Sequence, residues 1–169
     1  MAIINKSLAS ELIQMAKIDQ DMRMNWIYKD ADWEEAIDKT NQKRLKQIVS
    51  KYGWPTISSV GKRASNAAWL IVQHAPDLKF KEKCLELMEQ LPPSEVKTAN
   101  IAYLKDRVLV RNGKPQIYGT QFNGFGKNIK VCNVQDFEHV DERRAGVGLG
   151  KFAESEARLR KINKVKKTN

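Results

Sequence analysis

Ala64-Ser65-Asn66-Ala67-Ala68-Trp69-Leu70-Ile71-Val72-Gln73-His74-Ala75-Pro76 is the stretch whose reading decides the fold. Ala64, Ala67, Ala68, Ile71 and Ala75 recur at spacings of three and four, and Val60 extends the row backwards. That period is helical, and Ser58 or Ser59 suits the cap at its start. Trp69, Leu70 and Val72 carry apolar character around the helix, which calls for cover on more than one side. The stretch predicts a buried central helix that Pro76 stops.

Working outward, Leu8, Leu12, Met15 and Met22, with Ile13 and Ile18 beside them, predict a first helix from Ser7 to about Met24. A second opens at Asp38 or Thr40, carries Leu45, Ile48 and Val49, and stops at Tyr52-Gly53-Trp54-Pro55. Beyond the central helix, Asp77 leads into a fourth, about Leu78 to Gln90, with Phe80, Cys84, Leu87, Met88 and Leu91 inward. After the break at Pro92-Pro93 a fifth runs to about Asp106. The texture then changes. Val108-Leu109-Val110, the turn pair Asn112-Gly113, Gln116 to Phe122 and Ile129 to Val134 read as strands and a hairpin. Helix returns near Val140, is interrupted by Gly146-Val147-Gly148-Leu149-Gly150, and ends in a basic tail. The fold class expected is α+β, mainly α: five to seven helices around a central apolar helix, with a small antiparallel hairpin or three-stranded region at about 108–134. One globular domain is expected over 1–160, with a basic tail at 161–169.

A composition of 41% hydrophobic and 30% charged residues over 169 positions is globular. No run approaches the roughly 18 apolar residues of a membrane span. The start, Met1 to Leu12, lacks the features of a secretory signal, so a cytoplasmic location is expected. Cys84 and Cys132 have no ligand spacing and read as free thiols. His74 and His139 stand far apart, without a His-Glu-x-x-His pair. No Gly-Lys pair completes a phosphate loop, and Gly146-x-Gly148-x-Gly150 follows no buried strand. The reading assigns no metal ligand and no cofactor. Of the net charge of +10, six cations and no acid fall after Ala157. Such a tail can hold nucleic acid by neutralising phosphates, or simply keep a helix end soluble.

The candidate functional residues are polar groups that look out of place. Gln73 and His74 end the most apolar helix, and His74 continues the Ala67 and Leu70 face. Asp106 and Arg107 stand where the fifth helix is expected to give way to strand. Tyr118 and Gln121 flank Gly119 in the strand after the turn, and Arg143-Arg144 offer paired forked donors. His74 is read as a general acid or base, possible in hydrolysis or rearrangement, with Asp106 orienting it or pairing with an arginine. Gln73, Arg107, Tyr118, Gln121, Arg143 and Arg144 are read as holding a small anionic or amide-containing ligand. The alternative is a non-catalytic protein- or nucleic-acid-interaction module in which the same polar groups form a structural network.

The chain also resembles a widespread bacterial family of uncharacterised proteins, a domain of unknown function. The resemblance rests on Tyr52-Gly53-Trp54-Pro55, Val60-Gly61, Ala68 to Ala75, Ala102-Tyr103-Leu104-x-Asp106-Arg107-Val108, Gly113-Lys114-x-Gln116-x-Tyr118-Gly119-Thr120-Gln121, and Arg143-Arg144-x-x-Val147-Gly148-Leu149. It implies a helical domain with a β-hairpin insert, and no reaction. The chain departs from the pattern in the Gly- and Asn-rich run Asn123 to Asn128 and in its basic tail.

Removing residues 161–169 takes away little apolar surface beyond Ile162 and Val165. The expected melting temperature of that truncation is within about 2 °C of the full chain's, since surface changes of this kind cost under about 0.5 kcal/mol. A large drop in thermal denaturation would contradict it.

Overall fold

A computed structural model of the chain describes residues 5–29, 31–124 and 128–165. The chain divides into two compact units, residues 1–100 and 101–169. The first holds α1 (Lys6–Tyr28), α2 (Glu35–Tyr52), α3 (Ile57–Val60), α4 (Lys62–His74) and α5 (Leu78–Glu89). α6 (Thr98–Arg111) begins there and lies mainly in the second, followed by β1 (Phe122–Asn123), β2 (Lys130–Val131), α7 (Val140–Gly146) and α8 (Phe152–Val165). The fold is α+β and mainly α, with eight helices and one small antiparallel sheet among the described residues. Residues 166–169 of the basic tail lie outside the described residues.

In the first unit, capping chemistry sets the helix ends. Asn5 caps α1: its side-chain oxygen accepts the Leu8 N–H at 3.0 Å. α2 begins at Glu35, ahead of the expected Asp38, and both acids suit the positive end of the helix dipole. The expected central helix is two. Thr56 caps α3 by accepting the Ser59 N–H at 3.2 Å, the chain breaks at Gly61, and α4 restarts at Lys62. Asp77 caps α5, accepting the Phe80 N–H at 3.2 Å.

α1 and α4 run parallel, because the Asn5 N–H donates to the Ser59 carbonyl at one end while Asp19 meets His74 at the other. α2 runs back along α1: Arg44 pairs with Glu11, the Asn41 amide reaches the Met15 carbonyl, and Arg23 reaches Asp38. Leu12, Leu45, Ile48, Ala68, Ile71, Val72 and Met88 are almost sealed from solvent. Burying each of the larger ones stabilises by about 1.5–3 kcal/mol. Burial also pushes the Cys84 thiol up to about 12, so it stays protonated and unreactive at neutral pH.

The second unit corrects the strand reading. Val108-Leu109-Val110 is helix, the last turns of α6. Burial there alternates over Ala102, Leu104, Asp106 and Val108, as a strand would, but the helix achieves it with two stripes. Ala99, Ala102 and Asp106 form one at spacings of three and four; Asn100, Leu104 and Val108 form the other at four. Asn112-Gly113 is the end of this helix and not a hairpin turn. Gly113 takes φ 71°, its N–H donates to Val110 O, and the Lys114 N–H reaches back to Leu109 O, the two bonds of a glycine-terminated helix. The extended region shrinks to β1 against β2, Phe122 opposite Val131 and Asn123 opposite Lys130, plus an isolated parallel bridge from Gln116 to Val134.

Gly119 has φ 64°, and a Cβ built on it would stand 2.8 Å from a ring carbon of the buried Phe152. Gly119→Ala therefore meets both backbone strain and a clash. The expected loss is about 1–3 kcal/mol in urea denaturation, with the m-value unchanged; a stability equal to wild type would show that the loop has room to move.

Candidate functional site

The polar ends of three apolar stripes meet in the first unit. On α1 the stripe runs Leu8, Leu12, Ala16, Asp19, Met22; on α2 it runs Asp38, Asn41, Leu45, Ile48; on α4 it runs Ala64, Ala67, Ala68, Ile71 and then His74. Parallel α1 and α4 with antiparallel α2 bring Asp19, Arg23, Asp38 and His74 to one place. Asp19 is 1% exposed. His74 Nδ1 lies 2.9 Å from both of its carboxylate oxygens. Arg23 Nη1 stands 3.0 Å from Asp19 Oδ1, and its Nη2 donates to Asp38 Oδ1 and Oδ2 at 3.0 and 3.1 Å. The Gln20 amide donates to Asp19 Oδ2 at 2.7 Å. The Arg23 guanidinium also lies over the Trp33 ring, 4.8 Å from its centroid.

Burial alone pushes the Asp19 carboxyl up, yet the His74 hydrogen bond and charge, the Gln20 amide and Arg23 together hold it below the usual carboxylate range. An ionised carboxylate only accepts, so Nδ1 of His74 carries the proton towards Asp19. When the ring is neutral, its lone pair is then on Nε2. Gln73 is buried, and the buried Lys81 ammonium donates to the Ala75 carbonyl just beyond α4, where the helix dipole favours a cation.

A groove of about 380 Å³ runs alongside, between Ile13, Ala16, Lys17 and Gln20 of α1 and Arg63, Asn66, Ala67 and Leu70 of α4. Gln20 belongs to both the groove and the Asp19 cluster.

In the second unit the candidate residues are bonded to their own backbone. Asp106 is fully buried. It accepts the Ile117 N–H at 2.8 Å, the Tyr118 N–H at 3.1 Å, the Thr120 N–H at 3.0 Å and the Thr120 hydroxyl at 2.9 Å. The carboxylate hydrogen-bonded to His74 is Asp19, which was not among the candidate residues. The signal was there: Asp19 falls three residues after Ala16 and seven after Leu12, inside an apolar stripe.

Gln116, fully buried, donates to Gln121 O and Cys132 O and accepts the Gln121 N–H, closing the loop on itself. The Gln121 amide donates to Thr120 Oγ1 at 3.0 Å. Arg143 donates to the carbonyls of Ile117, Gln135 and Asp136. Arg144, 1% exposed, donates to Gly150 O, Tyr118 O and Ser155 Oγ. Burial lowers its pKa, against the pull of Tyr103, Asp141, Asp106 and Glu154. Arg107 is half-buried on α6 and Tyr118 half-buried in the loop. His139 is exposed and paired with Asp136 at 2.9 Å. Among the described residues no group of three His, Cys, Asp or Glu is placed to hold a metal ion, and no helix is long and apolar enough to cross a membrane.

A family model matches residues 6–166, nearly the whole chain. The chain belongs to the family of unknown function DUF6624. No curated protein and no solved structure matches this DUF6624 chain.

Asp19→Asn removes the charge facing both His74 and Arg23. The expected loss is about 3–5 kcal/mol at pH 7, the range for a buried ion pair broken from one side. The folded Asp19 pKa is depressed, so its stabilisation is fully present above the unfolded value near pH 4. It is lost as pH falls through the folded value. Wild type and Asp19→Asn should therefore converge in stability as pH falls through the depressed folded value; parallel pH curves in urea titrations would refute this.

Proposed function

We propose that the first unit binds a small anionic or amide-containing molecule beside His74 and uses His74 Nε2 as a general acid or base, in a hydrolysis or rearrangement. The observation that carries this reading is the buried Asp19 carboxylate held 2.9 Å from Nδ1. It sets one tautomer and stabilises the imidazolium that forms when Nε2 takes a proton, as a carboxylate behind a catalytic histidine does. Arg23, hydrogen-bonded to Asp38 through Nη2, sets its positive charge 3.0 Å from that carboxylate. The His74 side chain is 19% exposed, so the ring reaches the surface while its support is sealed.

A second reading has its own observation. Asp106, Gln116, Arg143 and Arg144 bond to backbone and neighbours within the second unit, as a structural network in a non-catalytic interaction module would. On that reading the second unit is scaffold, and nucleic acid or protein binds through the basic helix α8 and its tail.

The test is a thermal-shift screen of the full chain against inorganic phosphate, nucleoside monophosphates, sugar phosphates and amino-acid amides, followed by NMR of each stabilising compound over time. The expected result is a compound that wild type both binds and converts. His74→Gln should keep its fold and binding but lose at least about 100-fold in conversion, because Gln can replace one hydrogen bond and cannot exchange a proton. Conversion undiminished in His74→Gln, or no stabilising compound at all, puts the interaction-module reading ahead.

A further inference from the structure

We propose that the α1–α4 groove binds an anion with an apolar body, its charged group held by Arg63 and its apolar part lying over Ile13, Ala16, Ala67 and Leu70. The inference rests on the reading of His74 above and supplies the ligand class for that site.

The floor comes from two parallel helices using the same spacing, Ile13, Ala16 and Gln20 on one and Arg63, Ala67 and Leu70 on the other. Ala16 and Ala67 are small and buried, so the helices leave a trough between their larger neighbours. Its 380 Å³ falls at the small end of ligand sites, about 300–1,000 Å³. From the level of Arg63 to that of Leu70 is seven residues, about 10 Å at the helical rise. That length suits a medium alkyl chain or a two-ring body. It is too little surface for a protein partner, which needs about 800 Å² on each side.

The charge pattern selects an anion. The lining holds two cations, Lys17 and Arg63, and no carboxylate. Lys17 is engaged with Asp21 at 2.5 Å. Arg63 is exposed and makes no ion pair or hydrogen bond among the described residues, so its fork is open to a carboxylate or phosphate without breaking an existing bond. An apolar floor under a single open guanidinium fits an amphipathic anion better than a polar sugar phosphate.

The far end of the groove gives direction. Gln20 lines it and donates to Asp19, and Leu70 stands one helical turn before His74. A molecule anchored at Arg63 and laid along the trough brings its other end to the Asp19–His74 pair. Arg63 is thus an anchoring residue and takes no part in proton transfer.

Calorimetry on the full chain tests this with octyl phosphate, octanoate, octanol and inorganic phosphate, all below micellar concentration. The expected result is 1:1 binding of octyl phosphate or octanoate, with octanol and inorganic phosphate at least tenfold weaker. Arg63→Gln and Leu70→Asn, shown folded by circular dichroism, should each weaken binding about tenfold. Equal binding of octanol and octyl phosphate, binding unchanged in Arg63→Gln, or no binding of either anion would overturn the proposal. The two readings fail separately. Octyl phosphate binding with conversion indifferent to His74→Gln sinks the acid–base role alone. His74-dependent conversion of another compound without octyl phosphate binding sinks the groove alone.

Discussion

A carboxylate that is 1% exposed must be paired or protonate, and Asp19 is hydrogen-bonded to His74 and Gln20 with the Arg23 charge beside it. Its partners come from α1 itself and from α4, and Arg23 extends the chain of charges to Asp38 on α2. Three helices are therefore held in one register at one end by alternating charge, while Leu12, Leu45, Ile71 and their neighbours hold them by burial along the rest. The two forces have different characters. Burial is tolerant of sliding, whereas ion pairs at 3.0 Å are not. Replacing the cluster with apolar residues could be neutral for stability, so its presence argues for a role in setting geometry at His74.

The second unit has a counterpart in Asp106. Its carboxylate gathers three backbone N–H groups and a hydroxyl from residues 117–120, a segment with no ladder partner of its own. Gln116 does the same for Gln121 and Cys132, and the two arginines take the carbonyls of Ile117 and Tyr118. This is side-chain chemistry standing in for a sheet. It explains how a region with so little strand stays ordered, since buried backbone groups must find partners somewhere.

Much of the helical plan was legible because it depends on local order. The period of Leu45, Ile48 and Val49, the stop at Gly53, and the cap-and-proline signals around Asp77 act within a few residues. The failure at Val108-Leu109-Val110 was also physical. β-branched residues beside Asn-Gly fit a hairpin and a glycine-ended helix equally well. The choice was made by Asp106 and Val108, which the helix places on separate buried stripes. His74 was visible as an odd polar residue on an apolar face. Its partner Asp19 was not visible, because the two residues are 55 positions apart and nothing local links them.

The sequence by itself determined most of the helical segments, where several of them stop, and that a few polar residues sit on faces meant for burial. Those properties follow from spacing, caps and composition, which act over one or two turns. Only the tertiary structure decided which polar residues share a partner. The parallel run of α1 and α4 gave His74 the Asp19 carboxylate, and the return of residues 117–120 gave Asp106 its donors. Pairing of this kind is a contact between segments distant in the chain, set by how helices pack, and no spacing within either segment encodes it.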